Sequence, residues 1–188
     1  MKIELTIPRR AFVSLAHIVS KDRTRYMLNG FNVRSLSGYV VITACNGVHL
    51  VSIQLSPTSE SFGVTLPFFI PKGVLGNCMV DIDTEANEAT YREADCKIVR
   101  NLLDGIYPNF LKAVPALVKH TGEIAFNIGK LNTILDSALA YSPKGNVFIA
   151  PNEKDAATVA ITDSPEWFGL LMPIHHVQKV ETPKWLIP

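Results

Sequence analysis

Between Arg9 and Arg25 the chain carries five basic side chains, Arg9, Arg10, Lys21, Arg23 and Arg25, against one acid, Asp22. Guanidinium and ammonium groups gathered in this way suit phosphate oxygens, contacts that hold a nucleic acid without reading its bases. Acids gather further on, where Asp81, Asp83, Glu85, Glu88, Glu93 and Asp95 stand against Arg92. One surface should be positive and another negative, although the net charge is only +1. Other candidates for chemistry are weaker. His175 and His176 could offer two imidazoles to a metal, but neighbours on a strand point to opposite faces. Asp163 and Ser164, with histidines elsewhere, could be cast as parts of a triad, yet Pro165 beside them reads better as a turn between strands. There is no phosphate-binding glycine loop, no HExxH and no nucleophile elbow, so no enzyme, catalytic residue, cofactor or metal is expected.

The elements that must position these groups repeat three times at about sixty residues, beginning near Ile3, Val64 and Ile124. Each copy reads as an extended segment, a helical segment and three more extended segments. In the first, Lys2 to Ile7 alternates as a strand and a helix runs from about Pro8 to Ser20. Phe12, Leu15, Ala16 and Val19 share one helix face; Arg10, Ser14, His17 and Lys21 share another, polar and basic. Extended runs follow at Arg25 to Val33, Tyr39 to Ala44 and Val48 to Gln54, with Leu36-Ser37-Gly38 and Asn46-Gly47 as turns. The second copy reads Val64 to Phe69, a short helical turn at Pro71 to Leu75, then Met79 to Asp83, Ala89 to Arg92 and Cys96 to Leu102. Its helix is poor, because Gly73 and Gly76 each cost about 1 kcal/mol against alanine. The third has Ile124 to Phe126, a clear helix from Ile128 to Tyr141, and strands at Val147 to Ala150, Thr158 to Thr162 and Phe168 to Ile174.

Helices this short need packing to persist, and each strand group has one apolar side, so helices must lie over sheets. Two copies make one domain, residues 1–118. The stretch Leu117 to Gly122 marks the boundary to a third, unpaired copy at 119–175, and 176–188 is a tail. At 188 residues and 47% hydrophobic the chain can bury a sizeable core. Cys45, Cys78 and Cys96 are odd in number, widely spaced and without CxxC, which suits a reduced, cytoplasmic setting better than a disulfide or zinc framework. No apolar run is long enough for a membrane span and no leader is apparent, so a soluble protein with no membrane partner is expected.

The runs Arg25-Tyr26-Met27-Leu28-Asn29-Gly30-Phe31 and Ile42-Thr43-Ala44-Cys45-Asn46-Gly47-Val48-His49-Leu50 resemble the middle domain of the bacterial sliding clamp, the DNA polymerase III beta subunit. Asp104-Gly105-Ile106-Tyr107-Pro108-Asn109-Phe110-Leu111-Lys112-Ala113-Val114-Pro115 is similar to the segment closing that domain, and Leu170-Leu171-Met172-Pro173-Ile174 to the family's C-terminal strand. The resemblance covers about residues 1 to 175. It implies an α+β DNA-clamp fold of repeated β-α-β-β-β units, helices on one side of antiparallel sheets, in a shortened form: the middle domain plus the C-terminal half of the last.

The resemblance also implies function. A clamp holds double-stranded DNA independently of sequence and tethers DNA polymerase or repair proteins, with a clamp loader as a further partner. Lys21 and Tyr26 fall at family positions near DNA; Arg10, Arg23, Arg25 and Lys130 are added from the helix faces. Leu28, Gly47, Leu50, Pro108 and Met172 match positions lining an apolar groove for short hydrophobic peptides. His49, Lys112, Ala113 and Leu170 also fall there, His49 and Lys112 replacing the family's usual arginines. Family members close as head-to-tail dimers through their first and third domains, and this chain matches neither the first domain nor the first half of the third. Two chains of six units make twelve, as would four chains of three, so a homo-oligomer, a tetrameric ring, is the expectation. The alternative is a clamp mimic or regulator that binds clamp-binding peptides or a host clamp without encircling DNA. Trp185, Leu186 and Ile187 of the tail would be costly to leave in water, which suggests packing on its own chain or in a neighbour's groove.

Overall fold

The computed structural model describes residues 1–70, 76–93, 96–114, 125–150 and 156–174. The expected helical turn at Pro71 to Leu75, the boundary Leu117 to Gly122, the lead residue Ile124, Asp95, the pair His175-His176 and the tail fall outside these residues. Eleven strands and two α-helices are present among them. The first unit comprises β1 (Lys2–Pro8), α1 (Arg9–Ala16), β2 (Gly30–Leu36), β3 (Tyr39–Cys45) and β4 (His49–Pro57). The second has β5 (Gly63–Pro67), β6 (Asn77–Asp83), β7 (Glu88–Glu93) and β8 (Cys96–Asn101). The third has α2 (Ile128–Tyr141), β9 (Val147–Ala150), β10 (Ala157–Ile161) and β11 (Trp167–Leu171).

The strands form two antiparallel sheets, one ordered β1-β6-β7-β8 and one ordered β5-β2-β3-β4-β11-β10-β9. The first two units are interlocked. β1 pairs with β6 of the second unit, Leu5 opposite Val80, and β5 pairs with β2 of the first, Leu66 opposite Phe31. The third unit joins through β11, whose Leu170 lies opposite Leu50 of β4. The larger sheet therefore runs unbroken from the second unit through the first into the third.

Period-two alternation decides which side chains meet. Ile3, Leu5 and Ile7 of β1, Phe31 and Val33 of β2, Val40, Ile42 and Ala44 of β3, and Val51 and Ile53 of β4 all enter one core, with Phe12 and Leu15 of α1. Trp167 and Leu171 of β11 and Ile134, Ala138 and Tyr141 of α2 complete it. The two helices pack against each other over the sheets. Between them the buried Ser14 and Ser137 hydroxyls lie 2.9 Å apart, and the Trp167 indole N–H donates to Ser14 Oγ at 3.0 Å. This network ties α1, α2 and β11 at one point.

Around the basic stretch the backbone departs from the expected pattern in two places. α1 ends at Ala16, earlier than its apolar face suggests. The N–H groups of Ile18 and Val19 both turn back to the Leu15 carbonyl, which drops Ile18 into the core. The run from Arg25 is also not extended at its start, because Arg23–Leu28 winds as a 3-10 turn and the strand begins at Gly30.

Candidate nucleic-acid interface and partner groove

The cations cluster where α1 gives way to the 3-10 turn. Asp22 caps that turn, accepting from the Thr24 N–H at 2.8 Å and the Thr24 hydroxyl at 2.7 Å. Those bonds hold its carboxyl below the usual carboxylate range. Lys21, Arg23, Arg25 and Tyr26 are all exposed on this stretch. Arg25 reaches Asp22 at 3.8 Å and lies over Gly47, while Tyr26 rests against Gly105. Gly47 (φ +89°) is needed there, since a Cβ would meet the Arg25 guanidinium at 2.9 Å in a backbone region that side chains avoid.

Lys130 arrives from the third unit, in the first turn of α2 behind the N-cap Asn127, whose side chain accepts the Lys130 N–H. Lys21, Lys130, His17, Asn46 and Thr133 line one open cleft between the end of α1, the β3–β4 turn and the start of α2. Among the described residues, Lys21, Arg23 and Lys130 have no carboxylate within ion-pair distance. Arg10 is differently placed. Its guanidinium lies 3.4 Å from Glu166 and 4.5 Å from the Tyr141 ring centre, so it braces α1 against the third unit. Burial and the Glu166 carboxylate, which accepts the Tyr141 hydroxyl at 2.9 Å, push that phenol up to about 12. The acid-rich stretch lies elsewhere: Glu4, Asp81, Asp83 and Glu88 line a cleft on the smaller sheet, with Lys2 and Arg92 among them.

The opposite face of the larger sheet carries the second site. Leu50 of β4 and Leu170 of β11 stand opposite each other there and gather Leu28, Tyr107, Phe110 and Ala156 into a second apolar cluster. Met27, Cys45 and Phe168 pack against it. The cluster is closed, its six members all buried. Its margin is open: Met172, 40% exposed, continues β11 with its N–H on the Val48 carbonyl, and Pro108, Lys112 and Ala113 are exposed along the covering segment. Three of the nine expected groove residues, Leu28, Leu50 and Leu170, thus meet directly.

His49 does not line that cluster. Adjacent strand residues face opposite ways, so its ring lies on the helix side, buried, with Nε2 2.8 Å from the Lys130 carbonyl and Nδ1 3.2 Å from Asn46 Nδ2. Asn46 Oδ1 already accepts the Val48 and His49 N–H groups, so its amide nitrogen must be the donor to Nδ1. The ring is therefore neutral with its proton on Nε2, and burial pulls its pKa below the ordinary histidine value. His49 pins the cationic start of α2 to β4.

Tyr107 and Phe110 are cluster members absent from the residues expected on sequence grounds, although both sit in the closing segment that resembles the clamp family. Arg34 stacks over the Phe110 ring at 5.0 Å. Two aromatics three residues apart, Tyr107 and Phe110, in a segment otherwise without aromatic side chains were the available signal. Glu166 gave none, since nothing in the local pattern announces that it answers Arg10 from 156 residues away.

No family model matches the sequence, and no curated protein matches it. Solved structures do. The DNA polymerase III beta subunit of Thermotoga maritima superposes with a TM-score of 0.72 over 93% of this chain at 11% identity. The sliding clamp of Pseudomonas aeruginosa gives 0.70 over 92% at 14%, and that of Bartonella birtlesii, bound to griselimycin, 0.67 over 92% at 11%. In each case the chain spans 66% of the other structure's length, about two thirds. The fold is the α+β sliding-clamp fold, in a form shorter than those structures.

Proposed function

We propose that this protein is a sliding-clamp-like DNA-binding factor that tethers polymerase or repair partners to duplex DNA and performs no reaction of its own. The supporting observation is the cation group Lys21, Arg23 and Lys130, without an ion-pair partner among the described residues and brought to the helix layer from the first and third units of a clamp fold. Arg25 and Tyr26 extend it. Arg10 contributes less, being engaged by Glu166. Phosphates of any sequence would satisfy such a group, and the acids on the smaller sheet would keep DNA to one side.

In this reading residues 1–118 are a complete clamp domain and 119–175 half of another. The margin at Met172, Pro108, Lys112 and Ala113 receives a short hydrophobic peptide from the partner, anchored against Leu28, Leu50 and Leu170. Four chains of three units complete the ring, a loader would open it, and the protein works in the cytoplasm. Fluorescence anisotropy with duplexes of unrelated sequence tests the electrostatic core. Equal affinities that fall steeply with salt are expected, and affinity that persists at high salt refutes it.

The preformed apolar cluster, together with arginines partly neutralised by Glu166 and Asp22, also suits a second role: a regulator that captures clamp-binding peptides, or joins a host clamp, without encircling DNA. Retention on circular but not linear DNA separates the two, because a ring slides off an open end.

A further inference from the structure

The cleft where α1, the β3–β4 turn and α2 meet holds many polar groups and few uncommitted donors. Asn46 spends its side chain on the Val48 and His49 N–H groups and on His49 Nδ1. His49 is buried, with Nε2 on the Lys130 carbonyl. The Thr133 hydroxyl donates to the Gly129 carbonyl at 2.9 Å. Among the described residues Asp22 is the one acid lining the cleft, and its oxygens are engaged, Oδ1 by Thr24 and Oδ2 at 3.8 Å from Arg25 Nε. Asp136, the acid on α2, does not line it.

Three groups remain: the Lys21 and Lys130 ammonium groups and the His17 ring. His17 is exposed, and its ring nitrogens have no hydrogen-bond partner among the described residues. It stands at the C-cap of α1, where the last helix carbonyls favour a cation. An ammonium group is charged throughout the neutral range, whereas an imidazole gains or sheds its charge there. A phosphate seated in this cleft would meet all three groups, and a nearby anion favours the charged form of the ring.

We propose that His17 is a phosphate contact of the DNA surface, and that binding duplex DNA draws a proton onto its imidazole. The cleft then offers the DNA backbone three charge-assisted donors in place of two. This inference rests on the DNA-binding reading above and adds to it a coupling that lysine and arginine cannot provide near neutral pH. Linkage makes the coupling reciprocal: if DNA favours the proton, the proton favours DNA by the same factor.

Fluorescence anisotropy of the full chain with one duplex, at fixed ionic strength from about pH 8 to about pH 6, tests the proposal. The parent should bind about three- to tenfold more tightly at the lower pH, and H17Q should level the profile. H49Q should keep the parent's slope, because that ring is committed to Lys130 and Asn46. Titration calorimetry in two buffers of different ionisation enthalpy should show proton uptake by the parent and none by H17Q. A flat profile in the parent, or a slope that H17Q leaves intact or H49Q removes, overturns the proposal, while salt-dependent binding would still uphold the DNA reading. Absence of DNA binding at every pH overturns both. Should H17Q fail to fold, the parent's calorimetric proton count decides: uptake supports the proposal, and none overturns it.

Discussion

Replacing Ser14 by alanine should damage the joint between the first and third units more than the loss of one small oxygen suggests. Ser14 Oγ accepts the Trp167 indole N–H at 3.0 Å and lies 2.9 Å from Ser137 Oγ. Ser14, Ser137 and Trp167 are at most 1% exposed, so water cannot replace the lost partner. A buried polar group left unpaired costs about 1–3 kcal/mol. Two are orphaned here, the indole N–H and the Ser137 hydroxyl, and since a hydroxyl can turn toward a helix carbonyl the sum is about 2–4 kcal/mol. For a chain of this length, that corresponds to roughly 5–15 °C in melting temperature. Urea unfolding and calorimetry measure it directly. The paired substitution S14A/S137A should cost less than the sum of the single changes, because it removes one of the orphaned groups. A loss below about 0.5 kcal/mol for S14A, or strict additivity in the pair, would refute the reasoning.

Other outcomes follow from the two sites. His49 is held neutral, its folded pKa lying below the unfolded value because of burial and the Lys130 charge. Its contribution is intact above about pH 6.5, and as pH falls from there toward the folded pKa the unfolded chain takes up more protons and stability declines. H49Q should flatten that part of the melting-temperature profile between about pH 7.5 and 5.5, and an unchanged slope would count against a ring held neutral in the folded state. K21A, R23A and K130A should each weaken DNA binding and lower the slope of log affinity against log salt by about one, whereas R10A should chiefly lower the melting temperature. Leu50→Ala should cost about 2–5 kcal/mol, as expected for a buried core truncation, while Met172→Ala should leave stability nearly intact and reduce the affinity of a labelled hydrophobic peptide. Equal effects on stability from L50A and M172A would remove the distinction between closed cluster and open margin.

Features that arise between near neighbours were legible in the sequence; those that join distant residues were not. The alternation of Lys2 to Ile7, the periodicity of Ile128 to Tyr141 and the turn at Asn46-Gly47 are local patterns, and those elements appear with nearly the expected bounds. The cations around Lys21 were equally legible, because charge can be counted along a chain. Less visible was the early end of α1, since Val19 continues the helical spacing and only the core's demand for Ile18 turns the chain aside. Alternation alone could have put His49 and Leu50 on opposite faces, yet family position suggested a shared groove. Position in a family pattern carries no information about direction.

What this sequence determined by itself is the order and type of its units and the sign of its charged stretches, since both arise from neighbours within a few residues. Tertiary structure alone decided that β1 and β5 change places, that β4 accepts β11, that Glu166 engages Arg10 and that β9 keeps an open edge among the described residues. A strand's residues state that one face is apolar, but its hydrogen-bonding edges are the same backbone whatever the sequence, so the choice of partner is settled only when the whole chain packs.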